Sequence, residues 1–106
     1  MQNCEDDFLK IEYKNKKIEK ICTQAAVSEK IYGGNMSQKI KQRIMQIQAV
    51  ATVEEMIQYR VGRCHPLKND RYGQYAVDLV HPQRLVFEKK DDKIQIVCII
   101  EIIDYH

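Results

Sequence analysis

Apolar and polar positions alternate with period two from Phe8 to Tyr13, where Leu9, Ile11 and Tyr13 are set against Lys10 and Glu12. That alternation predicts a first strand. From Asn15 onward the period becomes helical. Asn15 is placed to cap a helix whose one face carries Ile18, Ile21, Cys22, Ala25 and Ala26. Gly33-Gly34 ends this helix and starts the next, which runs from about Asn35 to Ala49. Its buried stripe is Met36, Ile40, Ile44 and Ile47, with Lys39, Lys41 and Arg43 outside. Thr52-Val-Glu-Glu55 reads as a capping box for a short third helical segment carrying Met56 and Tyr59. Stripes at this spacing are core.

After Arg60-Val-Gly-Arg63 the pattern turns to strands. His65 and Leu67 belong to a short one, followed by a turn from Lys68 to Arg71. Gln74 to Val80 is a clear strand, with Tyr75, Val77 and Leu79 alternating against Gln74, Ala76 and Asp78. His81-Pro82 breaks it, and Arg84 to Glu88 pairs back. Lys89-Lys-Asp-Asp92 reads as a polar hairpin loop. Lys93 to Ile103 is rich in isoleucine and apolar on both faces over part of its length, which predicts a central strand. The order gives an α+β fold: an N-terminal strand and helices packed on one face of a twisted, mainly antiparallel sheet of four to five strands. The other face is left for partners.

At 106 residues the chain makes one domain with one core, here residues 9–106. Residues 1–8 form an acidic leader outside it, a candidate for disorder. No secretory signal opens the chain, and Ile94 to Ile103, interrupted by Gln95 and Glu101, is too short to span a bilayer. A cytoplasmic protein with no membrane contact is the expectation. The formal net charge of +2 conceals an asymmetry. Leu9–Glu88 holds 14 Lys and Arg against 8 Asp and Glu, a balance of +6, and the two ends hold 3 against 7, a balance of −4. A basic middle suits an anionic partner such as nucleic acid, although lysines on helix faces are usually only solvated. Lys14, Lys16, Lys17 and Lys20 crowd the opening turns of the first helix, the unfavourable end of its dipole for cations. Phosphates would explain them there. The four cysteines form no Cys-x-x-Cys pair, and Cys22 and Cys98 fall in apolar patterns as small hydrophobes. Cys64, His65, His81 and His106 fit no trusted zinc spacing, so no metal and no cofactor are expected.

The densest chemistry lies between Cys64 and Tyr75, where His65, Lys68, Asp70 and Arg71 stand around a strand end and a turn punctuated by Pro66, Asn69 and Gly73. This run, His65-Pro-Leu-Lys-Asn-Asp-Arg71-x-Gly73-Gln-Tyr75, is followed by the strand Arg84-Leu-Val-Phe87 and by a terminal Asp104-Tyr105-His106. Taken in order and at these separations, the three elements resemble the HigB toxins of the RelE/ParE toxin superfamily. The likeness extends through the helical half, including Lys14-Asn-Lys-Lys-Ile-Glu-Lys-Ile21, and spans about Ile11 to His106. One departure is Asn69, where the family usually has glycine; asparagine is the best non-glycine residue for a turn position with φ > 0.

The resemblance implies a RelE-like fold and a toxin that cuts mRNA in the A site of the 30S ribosomal subunit. It implies restraint by a helix-turn-helix antitoxin of the HigA type. The superfamily also holds ParE-type inhibitors of DNA gyrase, and a non-catalytic RNA-binding relative is a third reading. Cleavage by 2′-OH attack needs a base, cations at the phosphorane and an acid for the leaving oxygen. His106 is the principal acid or base expected, with Arg84 and Lys68 as transition-state stabilisers and His65, Asp104 and Tyr105 in support. Arg71, Lys68, Lys16, Lys17 and Lys20 are the expected RNA contacts. The bland alternatives are that Lys68 and Asp70 form a turn ion pair and that Arg71 merely braces the turn. His81 reads as a turn residue, and Asp78 and Glu101 as solvent-facing or paired with nearby cations.

Overall fold

The computed structural model describes residues 8–91 and 95–104. Strand β1 (Lys10–Tyr13) leads into helices α1 (Lys16–Thr23), α2 (Ala25–Tyr32), α3 (Gly34–Ile47) and α4 (Val53–Gln58). Four strands follow: β2 (His65–Pro66), β3 (Gln74–Asp78), β4 (Gln83–Asp91) and β5 (Ile96–Asp104). They form one sheet in the order β1-β5-β4-β3-β2, parallel between β1 and β5 and antiparallel elsewhere. The fold is the expected α+β arrangement with five strands.

Local signals account for most boundaries. Asn15 Oδ1 accepts from the Ile18 amide at 2.9 Å and caps α1. Gly33, at φ 94°, turns α2 into α3. Thr52 Oγ1 accepts from the Glu55 amide, and Glu55 Oε1 reaches back to the Ala51 amide, completing a capping box one residue longer than expected. Met36, Ile40, Ile44 and Ile47 of α3 are all buried. They meet Val77, Leu85, Phe87, Val97 and Ile99 of the sheet in a single core.

Four expectations need correction. The first helix is two, because Gln24 is extended (φ −122°, ψ 107°). Ala25 and Ala26, expected on the face of Ile18, are therefore exposed. Tyr59 leaves the core stripe of Met56 and is 66% exposed, because α4 ends at Gln58. The predicted hairpin loop at Lys89 is strand: β4 runs on to Asp91, and Lys89 opposes Val97 and pairs with Glu54 of α4. Arg43, expected outside α3, is half-buried and tied to β3. The leader up to Asp7, and Asp92, Tyr105 and His106, lie outside the described residues.

Candidate active site

Strand alternation sorts the sheet into two faces. Val77, Leu85, Phe87 and Ile99 point to the helices. Their neighbours make rows on the open face. One row runs His65–Ala76–Val86–Glu101, and the next runs Asp78–Arg84–Ile103. Ala76 and Val86 are fully buried yet stand outside the core cluster, so they form an apolar floor between ionisable groups.

His65 and Arg84 meet over that floor. The carbonyl of Arg63 can only accept, so the 2.8 Å contact to His65 Nδ1 assigns the imidazole proton to Nδ1. The Nε2 lone pair is thereby left facing Arg84 Nη1 at 3.4 Å. Arg84 is positioned in turn by Asp78, whose Oδ1 lies 3.1 Å from its Nε. That oxygen is buried and accepts no directed hydrogen bond among the described residues, so its hold on the guanidinium is Coulombic. Asp78 Oδ2 is 3.4 Å from Arg63 Nε. The Asp78 carbonyl accepts from Arg43 Nε at 2.6 Å. Burial pulls the Arg43 guanidinium below its usual value, and nearby Asp78 opposes that shift. One aspartate thus touches three arginines.

His65 and Arg84 open into a pocket of about 460 Å³ lined also by Ile57, Arg60, Arg63 and Cys64. Cys64 is a wall, its thiol pushed up to about 12 by burial. The lining carries three guanidinium charges, those of Arg60, Arg63 and Arg84. Such a pocket can hold an anion between cations while offering it a basic lone pair.

Of the residues singled out in the sequence, the pocket gathers His65 and Arg84. Lys68 is exposed and does not line it, and among the described residues no ion pair joins Lys68 to Asp70. Arg71 is engaged: it donates to Gln74 Oε1 at 3.0 Å and pairs with Glu101 at 2.8 Å. Asn69 takes the φ > 0 conformation the turn requires, at 60°. Asp104 opposes Gln83, while Ile103 opposes Arg84; the Tyr32 hydroxyl of α2 is pushed up first by burial and then by the charge of Asp104. Lys16, Lys17 and Lys20 are exposed on α1, where Lys16 reaches Glu19 at 3.9 Å and Lys17 borders a separate pocket beside Ile100–Ile102. His106 and Tyr105 lie outside the described residues. Sequence reasoning missed Arg60, Arg63, Arg43 and the hub role of Asp78. The run Arg60-Val-Gly-Arg63 directly before His65 was the available signal for two of them.

The described residues thus define a small α+β fold with a five-stranded sheet, helices packed on one face and a basic pocket beside the other. Solved structures carry the same fold. A YoeB/ParE toxin from Agrobacterium tumefaciens superposes with a TM-score of 0.62 at 15% identity, covering 92% of this chain and 99% of its own. A YoeB–YefM complex from Staphylococcus aureus gives 0.59 at 20% identity, covering 92% and 97%. The YoeB dimer from the same organism gives 0.59 at 22% identity over the same shares. No family model matches the chain, and no curated protein does. No helix among the described residues is long and apolar enough to cross a membrane.

Proposed function

We propose that the protein is the toxin of a type II toxin–antitoxin pair and cuts mRNA on the ribosome, as an endoribonuclease of the HigB type. The observation that carries this reading is the His65 Nε2 lone pair held 3.4 Å from Arg84 on the open sheet face. The toxin fold shared with the YoeB structures supports it. So does the sequence resemblance, which runs through both of these residues.

In this reading a phosphodiester sits against Arg84 with the ribose 2′-OH at Nε2. Nε2 takes the 2′ proton as O2′ bonds to phosphorus, and the P–O5′ bond breaks. The products are a 2′,3′-cyclic phosphate and a 5′-hydroxyl, whose proton comes from a second acid. His106 is the proposed acid, with its sequence neighbours Tyr105 and Asp104 in support and Lys68 as a further cation for the substrate. Arg84 stabilises the charge that grows on the non-bridging oxygens, which is worth most where water is excluded. Asp78 fixes its orientation, so little reorganisation is needed at the moment of reaction. The reaction draws on imidazoles and guanidiniums and needs no metal. Docking on the 30S A site would supply the substrate positioning, an effect that can contribute several orders of magnitude. By this reading the protein works in the cytoplasm and is neutralised by a helix-turn-helix partner of the HigA type. The Staphylococcus aureus neighbour solved as a complex with YefM is consistent with a fold that takes a protein partner.

Primer extension on mRNA after induction tests the reading. Discrete, codon-phased cuts are expected, and they should vanish in His65→Ala, Arg84→Ala and His106→Ala variants that remain folded. Intact mRNA with DNA damage would assign the protein to gyrase inhibition instead. Growth arrest with neither would make it a non-catalytic RNA binder.

A further inference from the structure

The loop between α4 and β2 is built against the backbone preferences of its own residues. Arg60 and Arg63 both have φ 56°, and Gly62 between them has φ 56° as well. Arginine pays a steric cost in this region that glycine does not, and few non-glycine residues enter it. Arg60 sits just past the end of α4, where a left-handed residue stops the helix and glycine is the usual choice. Glycine would close the helix with less strain. What it would not supply is a guanidinium.

The loop is also braced from below. A Cβ on Gly62 would come within 2.6 Å of Arg43 Nε, so the backbone rests directly on the Arg43 side chain. Arg43 is anchored to the Asp78 carbonyl and to Gln46 Oε1. Arg63 remains 79% exposed despite its 3.4 Å approach to Asp78, and among the described residues Arg60 forms no ion pair. Both line the pocket that holds His65 and Arg84. Backbone strain kept on a braced loop at the rim of a candidate active site points to a job for the side chains.

We infer that Arg60 and Arg63 form a second phosphate-binding subsite, which grips the RNA backbone at a phosphate beside the one presented to His65 and Arg84. This rests on the RNA reading above and adds a sequence-independent contact to it. The subsite reads charge and spacing, with no base preference of its own. It positions the strand and does not take part in bond breaking.

The experiment uses the full chain and a fluorescent single-stranded RNA with 2′-O-methyl riboses, which lacks the nucleophile and so is not cleaved. Affinity is measured by anisotropy across a salt series. The Arg60→Gly/Arg63→Gly pair removes both charges while relieving the backbone. It is expected to melt no lower than the wild type, to bind roughly tenfold more weakly, and to lower the magnitude of the salt slope by about 0.7, the share of one phosphate contact. An Arg60→Gln/Arg63→Gln pair isolates charge from backbone and should bind as weakly. Wild-type affinity and slope in the glutamine pair would overturn the subsite while leaving RNA cleavage standing. If that pair instead bound RNA normally but lost toxicity, the arginines would belong to an acidic protein surface, and the subsite would also fall. Absence of RNA binding by the wild-type chain would sink the RNA reading and the subsite together.

Discussion

The two faces of the sheet are made by the same strands and are divided by a step of one residue. On β4, Leu85 and Phe87 are fully buried against the helices, while Arg84 between β3 and β5 turns the other way toward His65 and Asp78. The covered face is apolar through its middle and is held by packing, with Lys89 reaching Glu54 of α4 toward the end of β4. The open face is a chain of dependencies, in which Arg43 and Arg63 meet Asp78, Asp78 holds Arg84, and Arg84 faces His65. Even its two fully buried residues, Ala76 and Val86, serve as a floor for charged neighbours. Stability and chemistry therefore occupy alternate residues of one strand, and substitutions one position apart should separate them.

The largest effect is expected on the covered side. Phe87 is fully buried and stacks on Tyr75 with ring centroids 5.7 Å apart. Phe87→Ala should cost about 3–5 kcal/mol of unfolding free energy by denaturant titration. For a domain of this size that is a large share of the total. A loss near 1 kcal/mol would mean that this face is not the core drawn here.

Arg84→Ala is the matched change on the open side. If the protein has the proposed activity, this change should lower the rate of mRNA cleavage by about 10²–10³-fold, the usual cost of removing one preorganised donor to the transition state. Its melting temperature should move far less than that of Phe87→Ala, although some loss is expected because Asp78 Oδ1 is left buried beside no partner cation at 3.1 Å. Asp78→Asn, which touches no substrate, should reduce the rate by a smaller factor and be partly rescued by Asp78→Glu. A variant at Arg84 that lost stability and activity in parallel would erase the distinction between the faces.

How much of this was legible in the sequence follows the same division. Periodicity found the covered face, because Met36, Ile40, Ile44 and Ile47 advertise burial by spacing alone. Capping chemistry at Asn15 and Thr52 set helix starts for the same local reason. The break at Gln24 was invisible, since Ala25 and Ala26 have strong helix propensity and carry no stop signal. The extension of β4 to Asp91 follows its pairing with β5 and brings Lys89 to Glu54, a partner 35 positions away that no local pattern announces. The open face was legible only in part. His65 and Arg84 were picked out, but Asp78 looked like a routine strand carboxylate, and its three arginines lie at positions 43, 63 and 84 of the chain. Arg60 and Arg63 were hidden because their special feature is a backbone angle, which arginine by itself gives no reason to expect.

Titration offers a further comparison, now among buried and half-buried groups. Burial pushes the thiols of Cys22 and Cys64 from 9.0 up to about 12, and burial likewise takes Tyr13 from 10.0 to about 12. The folded state holds these protons where the unfolded chain releases them. Their contribution is fully present below about pH 9 and is lost as pH rises from there toward about 12. Stability measured by denaturant should fall across that window, and the fall should be shallower in a Cys22→Ala/Cys64→Ala pair. Thiol labelling at neutral pH, mapped by mass spectrometry, should reach half-buried Cys98 well before Cys22 or Cys64. An alkaline limb unchanged by the double substitution would place the sensitivity elsewhere.

The smallest effect decides the role of Arg71. Its guanidinium reaches from the turn after β2 to Glu101 on β5, with both side chains about two-fifths exposed. A double-mutant cycle with Arg71→Ala and Glu101→Ala should give a coupling of about 0.2–1 kcal/mol in stability. Binding to the same 2′-O-methyl RNA then separates two functions. If Arg71 is only a brace across the open face, both single variants bind RNA like the wild type. If Arg71 also meets the RNA, Arg71→Ala binds more weakly, whereas Glu101→Ala binds more tightly because it removes a competing carboxylate and frees the cation. The second pattern is the expected one, since Gln74 still holds the Arg71 fork at 3.0 Å once Glu101 is gone, leaving it oriented across the row that leads to His65. Equal weakening in both variants would instead make the Arg71–Glu101 pair a structural element of the face, with no share in recognition.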